Sequence, residues 1–160
     1  MLVIPKVSSE RRRYIPVAFI QPEIIVNGSA LIIPGATLYE FGILMSNVHN
    51  AWMRIVAGRM KSDYQYSGSI VYNNYPWPDP TEEQKAKIGE TAKAILDART
   101  KYPDSSLADL YDEAFMPLEL RRAHQANDRA VMQAYGFDCR TMSEGECVAE
   151  LFKLYQGLAK

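Results

Sequence analysis

The sequence predicts an α+β protein, with short β-strands and one long helix in its N-terminal half and an all-helical C-terminal half. Three observations carry that prediction. Up to about residue 33 the chain breaks into short β-branched or aromatic runs separated by turn residues. From about Thr37 the apolar residues recur at three- and four-residue steps. After Pro80, capping boxes and a glycine stop punctuate helical periods only.

The strand-like runs are Leu2–Val7, Tyr14–Ile20, Ile24–Val26 and Ala30–Ile33. Asn27-Gly28 between two of them predicts a hairpin. Pro5 and Pro16 lack the N–H that a ladder needs, which predicts edge strands or bulges there. Phe41, Leu44, Met45, Val48, Trp52, Ile55 and Val56 predict one helix from about Thr37 to Ala57, capped by Thr37 and stopped by Gly58. A further strand is expected at about Gly68 to Asn73. Pro76-Trp77-Pro78-Asp79-Pro80 continues neither a strand nor a helix and makes a stiff connector. It sets the expected boundary between subdomains 1–78 and 79–160. Thr81-Glu82-Glu83-Gln84 is a capping box for a helix reaching about Thr100. A short helix follows Ser105-Ser106 and is expected to end near Phe115. Pro117 opens another, stopped after Tyr135 by Gly136. Ser143-Glu144-Gly145-Glu146 is a second capping box, starting a helix with Val148, Leu151, Phe152, Tyr155 and Leu158 on one face.

The 160 residues, 48% hydrophobic and 23% charged, have an ordinary globular composition, long enough to fold without a disulfide staple. Cys139 and Cys147 form no CxxC pair, so zinc spacing is absent and free thiols of a cytoplasmic protein are expected. No apolar run reaches membrane-spanning length. The net charge of -1 is unevenly spread. Residues 1–61 hold seven basic against three acidic residues, a balance of +4, which leaves -5 for the remainder. That asymmetry predicts a polyanion footprint on one side.

Catalytic patterns are missing. There is no Gly-rich loop for a nucleotide or S-adenosylmethionine. His49 and His124 have no partners at ligand spacing and read as polar helix residues. Asn73-Asn74-Tyr75-Pro76-Trp77 resembles the Asn-Pro-Pro-Tyr motif of amino-group methyltransferases. No proline follows either asparagine, however, so Tyr75 and Trp77 read as packing residues. Two stretches point to nucleic acid instead. Arg11-Arg12-Arg13 offers guanidinium forks for phosphate oxygens, with Ser8 and Ser9 as hydroxyl donors beside them. Lys61, Asp63 and Gln65 are spaced by two, which on an extended segment places all three on one face. A donor, an acceptor and an amide in a row suit base edges: lysine for guanine O6 and N7, aspartate for cytosine N4, glutamine for adenine. A polar strand face without function carries the same spacing.

Three blocks, Leu2–Tyr14 (LVIPKVSSERRRY), Leu38–Pro78 (from LYEFGILMSNVHNAW to SIVYNNYPWP) and Asp104–Leu110 (DSSLADL), carry a family resemblance. The chain resembles the MmeI-like group of type IIG (type IIL) restriction-modification enzymes. These single chains join a nuclease, a helical connector, an S-adenosylmethionine-dependent adenine-N6 methyltransferase, a target-recognition domain and a helical C-terminal domain. The resemblance implies that this chain is the end of the target-recognition domain plus the helical tail, with Met1 the start of an expressed fragment. It implies that Lys61, Asp63 and Gln65 read base pairs of double-stranded DNA, with Ser29 a weaker partner. Arg59 and the Arg11, Arg12, Arg13 run match family positions and imply contact with the DNA backbone. It implies no cofactor in this fragment, and S-adenosylmethionine and Mg2+ in the full-length enzyme. Two rival readings remain at this stage: a scaffold or toxin-neutralising module that binds no DNA, and a small autonomous enzyme.

Overall fold

The computed structural model describes residues 1–159. In chain order it has β1 (Leu2–Pro5), β2 (Val7–Ser8), β3 (Ala18–Phe19), β4 (Ala30–Ile33), α1 (Leu38–Leu44) and α2 (Asn47–Val56). These are followed by β5 (Gly58–Met60), β6 (Asp63–Gln65) and a π-helical turn, Gly68–Tyr72. The C-terminal half adds α3 (Glu82–Thr100), α4 (Leu107–Leu110), α5 (Leu118–Tyr135) and α6 (Glu144–Leu158). The α+β class is as the sequence predicts.

Two antiparallel three-stranded sheets, ordered β3-β1-β4 and β2-β6-β5, divide at Lys6. The Lys6 amide donates to the Ser29 carbonyl at 2.9 Å, and its own carbonyl accepts from the Tyr66 amide at 2.7 Å. One residue thus stitches the two sheets together. Pro5 ends the central strand of its sheet, opposite Ala30, rather than lying on an edge. At the strand terminus its missing N–H interrupts no ladder.

The Asn27-Gly28 hairpin does not form. Ile24–Val26 is not a strand, and β4 pairs with β1 instead. A two-residue type I′ turn needs positive φ at both central residues. Neither Asn27 nor Gly28 has it, and the Asn27 side chain is drawn off to accept from the Ser29 amide at 3.0 Å. The single helix expected over 37–57 is broken at Ser46. Ser46 has extended backbone (ψ 158°), accepts from the His49 amide and donates to the Ile43 carbonyl at 2.7 Å. The apolar period survives the break, because α1 turns its buried face to α3 and α2 turns its own to α6. The strand expected over Gly68 to Asn73 is instead the π-helical turn Gly68–Tyr72, with Asn73 as its C-cap. The wide turn is closed by the Tyr72 amide on the Ser67 carbonyl and the Asn73 amide on the Gly68 carbonyl. Asn74 adds side-chain bonds to the Ser69 and Ile70 carbonyls.

In the C-terminal half both capping boxes form, on α3 and on α6. Gly136 stops α5 in the left-handed region at φ 74°. α4 ends at Leu110, short of Phe115, and is capped by Ser106 and Asp109.

One hydrophobic core runs through both halves, from Leu2, Ile4 and Phe41 through Trp52 and Ile88 to Leu120 and Leu151. Tyr75 lies in it and Trp77 packs on it, both as packing residues. A buried polar network crosses the same junction. The Tyr14 hydroxyl donates to Asp128 at 2.6 Å, and Asp128 also accepts from the Asn47 amide at 2.8 Å. Arg99 donates to the Val17 carbonyl and the Tyr111 hydroxyl, and Tyr111 meets His124 at 2.7 Å. Asn127 donates to the Gly42 carbonyl at 2.8 Å. His49 and His124 are therefore core residues, each within hydrogen-bond distance of a tyrosine hydroxyl.

Candidate nucleic-acid interface

The predicted reading residues stand on the β5–β6 hairpin. The register sets Arg59 opposite Tyr64 and Met60 opposite Asp63, so the turn is Lys61-Ser62. Tyr64 points into the core, at 7% exposure, which leaves Asp63 half-buried and Gln65 exposed on the other face. The alternation expected from spacing holds for these two. It fails for Lys61, which is not extended. Lys61 occupies the left-handed region at φ 57° in the turn, exposed at the hairpin tip. A two-residue reversal needs such a conformation, and here a lysine supplies it.

Gln65 and Ser29 are brought together. They line one groove of roughly 830 Å³, with Pro5, Lys6, Met60 and Ser67 among its other walls. Lys61 and Asp63 are not part of that groove. The sequence reading missed Lys6, which joins this wall because the chain bends there between two sheets. No spacing argument within a single strand could have found it.

Arg11, Arg12 and Arg13 follow β2 in a tight turn, where the Arg12 amide donates to the Ser9 carbonyl and the Arg11 amide to the Ser9 hydroxyl. Arg11 and Arg13 are exposed and Arg12 half-buried. Among the described residues none of the three, nor Lys61, forms an ion pair, and Arg13 lies 5.7 Å from the centroid of the Tyr14 ring. Ser8 does not join them. It pairs with Tyr64 in the β2–β6 ladder and is 3% exposed, so its hydroxyl is turned into the protein. Strand alternation after Lys6 decides this: Val7 faces out and Ser8 faces in. Arg59 also differs from expectation. Its guanidinium donates to the Ser62 carbonyl at 2.7 Å, lies over the Tyr64 ring at 4.0 Å and stands 3.6 Å from Glu10. Its fork is engaged within the chain.

This hairpin, groove and arginine turn lie in a sequence with clear relatives. The family described as "MmeI, target recognition domain" matches residues 1–79, and "MmeI, C-terminal domain" matches residues 80–160. DNA methyltransferase A of Bacillus subtilis (strain 168) is 39% identical over 159 residues, which is 99% of this chain and 18% of that protein. The solved type IIL restriction-modification enzyme MmeI, in complex with DNA, is 47% identical and superposes with a TM-score of 0.95. That match covers 99% of this chain and 21% of the MmeI chain. The chain thus spans about a fifth of the length of these relatives. With its two halves matching consecutive domains along the whole length, the chain belongs to the MmeI family of restriction-modification enzymes.

Proposed function

We propose that this chain reads the base sequence of duplex DNA for a larger restriction-modification enzyme, aiming a methyltransferase and a nuclease carried elsewhere in the full-length protein. One observation carries the reading: 99% of the chain shares fold and 47% identity with an enzyme solved on DNA. In this reading Arg11, Arg12 and Arg13 grip phosphates, where guanidinium forks bind oxygens bidentately and set register without reading sequence. Lys61 and Asp63, at the tip of the hairpin, read one G·C pair. An ammonium offers only donors, and guanine presents two acceptors in the major groove; an ionised carboxylate only accepts, and cytosine N4 donates. Gln65 and Ser29 form a second reading group across their shared groove, and an amide suits adenine.

S-adenosylmethionine and Mg2+ belong, in this reading, to the rest of the full-length enzyme. The turn from β4 into α1 carries Gly35 alone rather than a glycine-rich loop. Among the described residues no three of His, Cys, Asp or Glu cluster at metal-ligating distance. The partner domain would flip the target adenine out of the stack for methylation while this chain holds the flanking duplex. The setting is the cytoplasm, where such an enzyme meets DNA; no described helix is long and apolar enough to cross a membrane.

The test is a polarity reversal. In the full-length enzyme, Lys61→Glu combined with Asp63→Arg should exchange a G·C preference for C·G at one position of the modified site. Each single change should weaken modification about tenfold or more, because one partner is left unmatched. Methylation-site sequencing reads the outcome. An unchanged site, or a change at a position that was never G·C, refutes the assignment.

A further inference from the structure

We propose that Arg59 is a positioning residue for base reading, which braces the tip of the β5–β6 hairpin from within the protein rather than gripping a phosphate. The proposal rests on the assignment of Lys61 and Asp63 to base reading. Three contacts use three different properties of one guanidinium. Its Nη1 donates to the Ser62 carbonyl at 2.7 Å, tying β5 to the far side of the turn. Its planar face lies 4.0 Å from the centroid of the Tyr64 ring, directly across the ladder. Its charge stands 3.6 Å from Glu10, in the segment leading to the arginine turn.

The turn so braced contains Lys61 at φ 57°, a conformation that a side chain with a Cβ adopts at a cost. Holding the Ser62 carbonyl fixes the Ser62–Asp63 peptide, which closes the turn after Lys61 and starts the strand that carries Asp63. Released, Lys61 relaxes toward ordinary backbone angles and its ammonium moves away from register with the Asp63 carboxylate. Two reading groups that must meet opposite edges of one base pair then no longer do so. A phosphate-gripping role fits these contacts less well, since Glu10 already opposes the charge and part of the fork is spent on Ser62. The Glu10 pair is half-exposed and weak by itself. The turn-spanning bond and the stacked ring do the holding, and Tyr64 is anchored in the core.

Lysine can replace the charge but neither the fork nor the plane. Full-length enzymes carrying Arg59→Lys, Arg59→Ala and, as a control, Asp63→Ala would be compared by methylation-site sequencing and by DNA binding over a salt series. Both Arg59 variants should lose about tenfold of their preference at the position lost by Asp63→Ala, with an unchanged slope of log Kd on log salt. Soluble yield and residual modification at the original site show that Arg59→Lys is folded. If Arg59→Lys keeps full preference while Arg59→Ala loses affinity for all sequences with a slope shallower by about 0.9, Arg59 is a phosphate contact and the proposal is overturned. Wild-type preference in both Arg59 variants overturns it as well, with the reading by Asp63 intact. If Asp63→Ala leaves the site unchanged, the hairpin does not read bases, and both assignments fall together.

Discussion

Lys61 shows how much one backbone angle can hold. It is the only non-glycine residue of the described chain with positive φ, and it stands at the exposed end of a tight hairpin. For an L-residue with a Cβ that conformation costs about 1–2 kcal/mol, because Cβ crowds the following carbonyl. Glycine would adopt it without that cost, while giving up some entropy of its own. Lys61→Gly is therefore expected to stabilise the protein by about 1 kcal/mol, measured by urea unfolding. The same change should remove the preference for G·C at the pair assigned to Lys61. Gain in stability with loss of discrimination separates a functional lysine in a strained turn from an accidental one. An unchanged or lowered stability would show that the turn stores no strain at this residue. The sequence could locate Lys61, because spacing by two and the family resemblance both point there. It could not reveal φ, since nothing in Met60-Lys61-Ser62-Asp63 is turn chemistry of the Asn-Gly kind. Ser8 was misplaced for a related reason: with the bend at Lys6 unseen, the phase of the next strand was unknown.

Elements in this fold were legible where a local hydrogen bond decides them, and illegible where a distant partner does. Thr81 with Gln84, Ser143 with Glu146, and Gly136 all end or begin helices as their local chemistry dictates. β4 was legible as a strand, but its partner was not. β1 lies 25 to 31 residues away from it in the ladder, 27 in the pairing of Ile4 with Leu31, and no short-range signal encodes that choice. The break at Ser46 was hidden because α1 and α2 keep the apolar period across it. Ser46 caps α2 locally, and the break leaves α1 packed on α3 and α2 on α6. Gly42 marks the approach of α1 to α3. A Cβ added there would lie 2.6 Å from the Ile88 Cγ2 and 3.2 Å from the Ala92 Cβ. Ile88 is fully buried and branched at Cβ, so its methyl cannot swing aside. Gly42→Ala should cost about 1–3 kcal/mol for overpacking and regain at most about 1 kcal/mol of helix propensity, a net loss. Gly89, on α3, has only the Leu38 Cβ near, at 4.0 Å. Gly89→Ala should instead stabilise by up to about 1 kcal/mol. Thermal unfolding of the two variants gives opposite signs if close packing of α1 on α3 is real. Equal shifts in the same direction would contradict it.

At the scale of the whole molecule, buried groups in the core (His49) and at the junction of the two halves (His124, Asp128) change protonation on unfolding, and this ties stability to pH. Burial pushes His49 and His124 down to about 3, from an ordinary 6.5. A base with a depressed folded pKa gives stability that is present above its unfolded value and lost as pH falls toward the folded one. Asp128 works the other way. Burial raises it to about 6 from 3.8, against the opposing hydrogen bonds from Tyr14 and the Asn47 amide. An acid with a raised folded pKa gives stability that is present below its unfolded value and lost as pH rises through the folded one. Between about pH 4 and 6 the unfolded chain thus binds about two more protons at the histidines, and the folded chain one more at Asp128. The net is about one proton, and each proton is worth about 1.4 kcal/mol per pH unit. Asp128→Asn keeps an acceptor for the Asn47 amide and a donor for the Tyr14 oxygen, but no longer titrates. Its stability should therefore fall about twice as steeply as wild type when pH drops from 6 to 4. Exposed carboxylates with lowered pKa, such as Glu146 held by the Ser143 amide and hydroxyl, add the same acid-side loss to both proteins and cancel in the comparison. Urea unfolding at half-unit steps from pH 4 to 7 decides the matter. Parallel curves for the two proteins would mean that Asp128 stays charged in the fold, and that the junction between the halves holds an ion rather than a proton.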